Sequence, residues 1–357
     1  MARPTLFHSL RVADVRRETE DTVSIAFEVP TELAEEFRFS PGQFLTFRVP
    51  NARGEPVRRS YSICSGLDDG DLRVAVKRLE SGVFGVLAND SLKVGDTVEV
   101  LAPLGRFTTS MDADRAGSYL MIAAGSGITP VMSLMRTILA RQPASRITLL
   151  YGNRGPSSII FRDMLHDLKD QYLQRLQVIH VFSREGQAAP LLNGRITGEK
   201  LRELGESVLD LTGYDEVFVC GPEAMTMAVR ETLVDVGVKP TQVHLELFGS
   251  HTPPPVRATG KDKGERVRLE VVLGGIRTRV EARPGETVLE AASNAGLDMP
   301  FSCKGGVCAT CRARVQDGAV EMDVNYALEP WEVDAGFVLT CQSRPTTPSL
   351  VVDYDAV

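Results

Sequence analysis

Four cysteines near the C-terminal end carry the strongest chemical signal in this chain. Cys303, Cys308 and Cys311 form a C-x4-C-x2-C run, and Cys341 follows after 29 further residues. Three thiolates from one loop and a fourth from a distant strand is the spacing that ligates a 2Fe–2S cluster, which moves one electron at a time. The loop Ser302-Cys303-Lys304-Gly305-Gly306-Val307-Cys308-Ala309-Thr310-Cys311 is small and glycine-rich. A chain of that kind wraps closely and aims backbone N–H groups at sulfur. Two alternatives stay open at this point. Structural zinc usually takes its cysteines as two short C-x2-C pairs, and disulfides belong to secreted chains.

A second constellation lies further upstream. Ala124-Gly125-Ser126-Gly127-Ile128-Thr129-Pro130 follows an apolar run and precedes a helical pattern with proline in its first turn. Glycines there let a nucleotide approach the backbone, and a helix N-terminus favours anionic phosphate. Taken singly, a G-x-G turn serves many strand–helix junctions. A second strand–turn–helix junction, Val219-Cys220-Gly221-Pro222-Glu223-Ala224-Met225, strengthens the reading. Cys220 could equally be a buried structural cysteine.

These residues need three kinds of scaffold. Residues 1 to about 112 show short alternating runs, Thr22–Glu28, Gln43–Val49, Asp71–Lys77 and Thr97–Leu101, punctuated by turn formers such as Ser40-Pro41-Gly42. That pattern predicts an antiparallel β-barrel. From 113 to 249, apolar strands (Tyr119–Ala124, Ile147–Tyr151, Val178–Phe182, Val217–Cys220) alternate with helical stretches (Val131–Leu139, Ala224–Leu233), which predicts an α/β domain with a parallel sheet. Residues 250–265, proline-rich and then charged, read as a linker. Residues 266–357 open with a hairpin, Val267–Leu273 and Arg277–Ala282 around Gly274-Gly275, and continue with a short helix over Thr287–Ala295 and the cysteine loop. The chain is therefore expected to be multidomain, ending in a small β-grasp 2Fe–2S domain.

Bulk properties narrow the function. At 357 residues with 43% hydrophobic and 24% charged side chains, the chain has the composition of a soluble multidomain protein. No apolar run approaches the ~20 residues of a membrane helix, and no signal-peptide pattern is present, so a cytoplasmic location is expected. A net charge of −7 argues against nucleic acid as a partner. Residues 266–357 hold 13 acids and 9 bases, and five acids (Glu321, Asp323, Glu329, Glu332, Asp334) precede Cys341 with no intervening base. That run is either a solvated surface or a docking face for a basic partner. The five histidines are scattered, and Cys64 reads as packing.

Arg58-Arg59-Ser60-Tyr61-Ser62, preceded by Pro41-Gly42-Gln43-Phe44, resembles the flavin signature of the ferredoxin–NADP reductase superfamily, here with a plant-type 2Fe–2S ferredoxin fused at its C-terminal end. The resemblance implies FAD. Arg59 would fork onto the pyrophosphate, Tyr61 would offer its ring to the isoalloxazine, and Ser62 would bond the hydride-accepting N5. Ser60 lies in the same signature. Later flavin contacts map onto Ala75-Val76-Lys77 and Val83-Phe84-Gly85, with glycine at a position where the superfamily often has serine. Gly125, Ser126, Gly127, Thr129 and Pro130, with Gly221, Pro222 and Met225, match its nicotinamide site, where Cys220 would lie beside the ring. Catalytic roles are expected of Tyr61, Ser62 and Cys220. Ser183-Arg184, helped by Arg154, suits the 2′-phosphate of NADPH better than NADH. Phe248, with Glu246 nearby, would cover the flavin face that nicotinamide must reach.

NADPH gives up a hydride and a cluster takes one electron, so a flavin between them is the converter. Further stretches, Asn325-Tyr326-Ala327-Leu328-Glu329-Pro330, Phe337–Ser343 and Val351–Asp355, are similar to the reductase subunits of phenylacetyl-CoA epoxidase systems. The resemblance implies a diiron oxygenase as the protein electron acceptor. Reductases of ketosteroid hydroxylases, desaturases and hybrid-cluster proteins look much the same. A stand-alone diaphorase and a non-enzymatic redox sensor are the rival classes.

Overall fold

The computed structural model describes residues 6–80, 82–248 and 266–356, so the linker expected at 250–265 lies outside the described residues. The chain divides into two compact units, one spanning His8–Phe248 and the other containing the described residues from 266 onward.

The first unit begins with six strands, β1 (Phe7–Thr19), β2 (Thr22–Glu28), β3 (Phe44–Pro50), β4 (Pro56–Ser62), β5 (Leu72–Lys77) and β6 (Thr97–Leu104), with one helix, α1 (Val83–Asp90). They are ordered β4-β3-β6-β1-β2-β5. An antiparallel bridge from Ile63 to Val74 joins the end of β4 to β5 and closes the barrel. Closure removes the exposed edges that an open sheet would leave. Apolar residues on the inner faces, among them Val12, Ile25, Phe47, Val74 and Val100, form its core with Phe84 of α1.

A parallel sheet follows, built from β7 (Ser118–Ala124), β8 (Arg146–Asn153), β9 (Leu176–Phe182), β10 (Glu216–Gly221) and β11 (Val243–Leu247), in the order β11-β10-β7-β8-β9. Crossovers run through α2 (Ile128–Arg141), α3 (Arg162–Gln171), α4 (Gly198–Ser207) and α5 (Glu223–Asp235). Two apolar clusters cover the sheet, one built on Met121, Leu149 and α2, the other on Ile122, Leu150, α4 and α5. Strands buried on both faces read as continuous apolar runs, which is why they were legible. Helix α2 is fastened to the barrel: Ser133 donates to the Ser65 carbonyl at 2.6 Å, and Arg136 pairs with Asp69 at 2.6 Å.

The second unit contains β12 (Val267–Leu273), β13 (Ile276–Ala282), α6 (Val288–Asn294), β14 (Arg312–Asp317), β15 (Val320–Met322), α7 (Pro330–Asp334), β16 (Phe337–Leu339), β17 (Ser343–Pro345) and β18 (Ser349–Asp353). Its main sheet is ordered β13-β12-β18-β14-β16, with β12 and β18 parallel. Gly274 (φ 59°) and Gly275 (φ 74°) both take left-handed conformations, the requirement of a tight hairpin turn. Their N–H groups donate to the Asp355 carboxylate at 2.8 and 2.7 Å, so the chain's last described turn clamps the first hairpin. Among the described residues no helix is long and apolar enough to cross a membrane.

Candidate functional site: a hydride corner and a thiolate loop

In the barrel, β4 pairs with β3 so that Ser62 faces Phe44, Tyr61 faces Leu45, Ser60 faces Thr46 and Arg59 faces Phe47. The Ser60 and Thr46 hydroxyls share a hydrogen bond of 2.8 Å. Arg59 is exposed, and its guanidinium donates to the Arg58 carbonyl at 2.8 Å. Tyr61 packs against Phe84 with ring centroids 5.3 Å apart. Burial pushes its hydroxyl up to about 12, against the pull of Arg59, so the phenol stays neutral. Ala75 and Val76 are buried in β5, while Lys77 pairs with Asp21 at 3.3 Å.

Helix α1 starts at Val83 without any side-chain cap, which leaves its first turn to backbone N–H groups alone. A Cβ at Gly85 would lie 2.9 Å from the Lys77 carbonyl oxygen. The glycine is therefore dictated by how tightly α1 packs on β5. Asn89 fastens the same junction, donating to the carbonyls of Val76 at 3.0 Å and Gly85 at 2.9 Å.

The two glycine turns of the parallel sheet meet. A side chain on Gly127 would overlap the Cys220 carbonyl and the Gly221 nitrogen, so the loop after β7 lies directly against the end of β10. Gly221 is hemmed in the same way by Ala124 and Met225. Gly125 (φ 54°) has its carbonyl held by the Tyr151 hydroxyl at 3.0 Å, and the Thr129 hydroxyl bonds the Ser126 carbonyl at 3.1 Å. Pro130 is buried in the first turn of α2, and Pro222 caps α5.

Cys220 is fully buried, and burial, reinforced by Glu246, raises its thiol well above the usual range. Glu246 stands opposite Cys220 in the parallel β10–β11 register. The Ser62 hydroxyl donates to the Glu246 carboxylate at 3.2 Å. That single bond joins the flavin-signature strand of the barrel to the nicotinamide-signature strands of the sheet. Burial lifts the Glu246 carboxyl to about 8, with the Ser62 bond pulling the other way, which favours its protonated form. Phe248, one residue past β11, is 37% exposed.

Ser183, Arg184 and Arg154 are also brought together, at the carboxyl ends of β8 and β9. Ser183 donates to the Asn153 carbonyl through its N–H at 2.9 Å and its hydroxyl at 3.2 Å, and the Arg184 N–H donates to the Arg154 carbonyl at 2.9 Å. The corner holds an acid too, since a Cβ at Gly155 would lie 2.7 Å from a Glu185 carboxylate oxygen. Asn153 was missed from the sequence. It is buried at the end of β8, where its backbone carbonyl accepts from the Ser183 N–H.

In the second unit the four cysteines converge as two pairs. Cys308 hydrogen-bonds Cys303, which with N–H groups of Gly305, Val307 and Cys308 lowers the Cys303 thiol to about 6. Cys311 likewise lowers the Cys341 thiol, helped by Gln342 and the Gly306 N–H, while Cys308 and Cys311 are themselves raised. Among the described residues no three His, Cys, Asp or Glu side chains converge on a single ion. Two adjacent thiol pairs fit a two-iron cluster, with a pair for each iron.

The loop achieves this through left-handed residues at Lys304 (φ 52°), Gly306 (φ 76°) and Ala309 (φ 51°). The Gly305 N–H points at the Cys303 sulfur at 3.3 Å, and Gln342 donates to the Lys304 carbonyl at 2.8 Å. Thr340, itself bonded by the Tyr354 hydroxyl at 2.7 Å, donates to the Cys311 carbonyl at 2.8 Å. Cys64 lies in the first unit as packing, its sulfur 3.4 Å from the Arg73 carbonyl.

The acidic run needs correction. Glu332 is fully buried and paired with Arg312 at 2.8 Å, and Asp323 is paired with Arg344 at 2.9 Å. Only Glu321, Glu329 and Asp334 of the five face outward. A charge run in sequence carries no information about which acids find buried partners.

Family models agree with this geometry. An oxidoreductase FAD-binding domain matches residues 9–109, an oxidoreductase NAD-binding domain residues 121–231, and a 2Fe-2S iron-sulfur cluster binding domain residues 271–346. The chain is an oxidoreductase, an electron-transfer reductase with flavin-binding, nicotinamide-binding and iron–sulfur domains. It is 46% identical to a subunit of the 1,2-phenylacetyl-CoA epoxidase of Escherichia coli over 99% of each chain. It is 38% identical to the ferredoxin reductase component of 3-ketosteroid-9-alpha-monooxygenase of Mycobacterium tuberculosis, over 97% of this chain and 95% of that one. The solved structure of phthalate dioxygenase reductase superposes with a TM-score of 0.60 at 26% identity, covering 97% of this chain and 98% of the other. The chain belongs to this family of oxygenase reductase components.

Proposed function

We propose that this chain draws hydride from NADPH and delivers electrons one at a time to the diiron oxygenase of a phenylacetyl-CoA epoxidase, in the cytoplasmic breakdown of phenylacetate. The observation that carries the reading is the Ser62–Glu246 hydrogen bond beside Cys220, which joins two dispersed signatures at one point. Bound flavin supplies the conversion between a hydride and the single electrons that an iron–sulfur cluster carries. Residues 1–112 would hold FAD, 113–249 NADPH, and 266–357 the cluster.

Each group has residues suited to it. Arg59 and the uncapped start of α1, at Val83-Phe84-Gly85, would hold the pyrophosphate, with Ser60, Ala75, Val76 and Lys77 lining the flavin. Tyr61 presents a neutral ring and Ser62 a hydroxyl. Glu246 accepts from Ser62, and the upward shift of its carboxyl would limit the negative charge beside the hydride path. Gly125, Ser126, Gly127, Thr129 and Pro130 leave room for the nucleotide, with Cys220, Gly221, Pro222 and Met225 on its nicotinamide side and Phe248 over the flavin. Arg154, Arg184 and Ser183 favour the 2′-phosphate of NADPH. Cys303 and Cys308 would ligate one iron, and Cys311 and Cys341 the other.

The test is reconstitution. Phenylacetyl-CoA-dependent NADPH oxidation should appear when the loaded chain is mixed with epoxidase oxygenase subunits. NADPH oxidation that ignores the oxygenase would overturn the assignment and favour a stand-alone diaphorase.

A further inference from the structure

The buried half of the acidic run organises its exposed half. Glu332 pairs with the Arg312 guanidinium at 2.8 Å and accepts from the Glu329 N–H at 3.1 Å. Arg312 directly follows Cys311, and its guanidinium lies 3.4 Å over the Phe337 ring. Helix α7 is thus pinned to the strand that leaves the thiolate loop. A second pin lies just before it: the Tyr326 N–H donates to the Gly306 carbonyl inside the Cys303–Cys311 loop at 3.1 Å. The residues between these pins form a rigid outer wall beside the cluster site.

That wall carries what a docking anchor needs. Trp331, the chain's sole tryptophan, is 62% exposed on α7, next to its buried pin. Tyr326 and Val333, each 39% exposed, are further exposed apolar side chains in the same segment. Outward-facing Glu329 and Asp334 flank Trp331, no base occurs in sequence between Glu321 and Cys341, and the base nearest the far end of the helix is Arg314, which donates to the Ala335 carbonyl at 3.0 Å. A large exposed aromatic side chain on a pinned helix, flanked by charge, is the composition of an interface hot spot.

We propose that the Tyr326–Asp334 surface docks the protein that takes electrons from the cluster, with Trp331 as its anchor. The complementary partner presents an apolar pocket rimmed by lysine and arginine. The inference rests on the proposed reduction of a protein acceptor, and it names the face through which that reduction occurs.

The experiment compares the loaded chain with Trp331→Ala and Trp331→Phe. Epoxidase oxygenase subunits serve as the protein acceptor and ferricyanide as the small one. For Trp331→Ala, the KM for the oxygenase should rise about tenfold or more, as for loss of a hot-spot anchor, and Trp331→Phe should recover most of it. Ferricyanide turnover and bleaching of the cluster by NADPH should not change. An unaltered oxygenase KM in Trp331→Ala, with the wild type active, overturns the inference alone. Slower cluster bleaching in that variant also overturns it, since the face would then receive the chain's own flavin unit. A wild-type chain that cannot reduce the oxygenase overturns the functional reading, and the docking face with it.

Discussion

The thiolate loop and the proposed hydride corner would each place a redox group, by opposite means. The loop uses side-chain identity at fixed spacing: three cysteines within nine residues, aimed by left-handed backbone at Lys304, Gly306 and Ala309. The corner uses backbone proximity. Gly127 touches Cys220–Gly221 across 93 positions of sequence, and Ser62 reaches Glu246 across 184. A local site tolerates nothing in its ligands. A dispersed site depends on the absence of side chains and on domain packing.

The contrast is broken most sharply at the loop. Cys308→Ser should abolish the 2Fe–2S absorption while leaving flavin and NADPH-to-dye turnover intact; unchanged iron per chain would show that Cys308 is no ligand. At the corner, Gly127→Val forces the loop off Cys220. NADPH oxidation should fall on the order of a hundredfold, since misplacement by about 1 Å costs that much. The iron content of this variant should be normal, and near-normal turnover would refute the contact.

Next comes the pin behind the loop. Glu332→Ala leaves Arg312 buried without its partner, a loss of about 3–5 kcal/mol, so the iron–sulfur unit should melt earlier while flavin release is unaffected. Equal melting of both units would argue against it. Arg184→Asp should lower the NADPH/NADH preference about tenfold, the worth of one exposed charge-assisted hydrogen bond. An unaltered ratio would shift attention to Glu185 and Asn153.

The smallest effect is in pH. Glu246 ionises near 4.5 in an unfolded chain and at about 8 when folded, so the folded state retains a proton that the unfolded state releases. Stability from this group is complete below the lower value and is lost as pH climbs toward the upper one. Melting temperatures between about pH 5 and about pH 9 should carry a downward slope that Glu246→Gln removes. A slope identical in both proteins would place its origin elsewhere.

The same contrast explains what could be read in advance. Cysteine spacing, the twin glycine turns and the strand runs are periodic or local, so the three layers of architecture and the iron–sulfur loop were legible. Thr22–Glu28 and Val267–Leu273 match their strands residue for residue. The Ser62–Glu246 bond was not legible, because its partners meet only through tertiary packing. Neither was the fate of Glu332 and Asp323, which look like surface acids until the fold supplies Arg312 and Arg344. Gly85 meets the Lys77 carbonyl too closely for a Cβ, a contact that only the fold reveals.

The central claim is that one polypeptide takes paired electrons at the corner and releases them singly at the loop. Anaerobic addition of NADPH to the fully loaded chain, followed by visible absorption and electron paramagnetic resonance, tests it most directly. Flavin and cluster absorption should both bleach, and the signal of a reduced 2Fe–2S centre should appear. A flavin that bleaches while the cluster stays oxidised would contradict the relay.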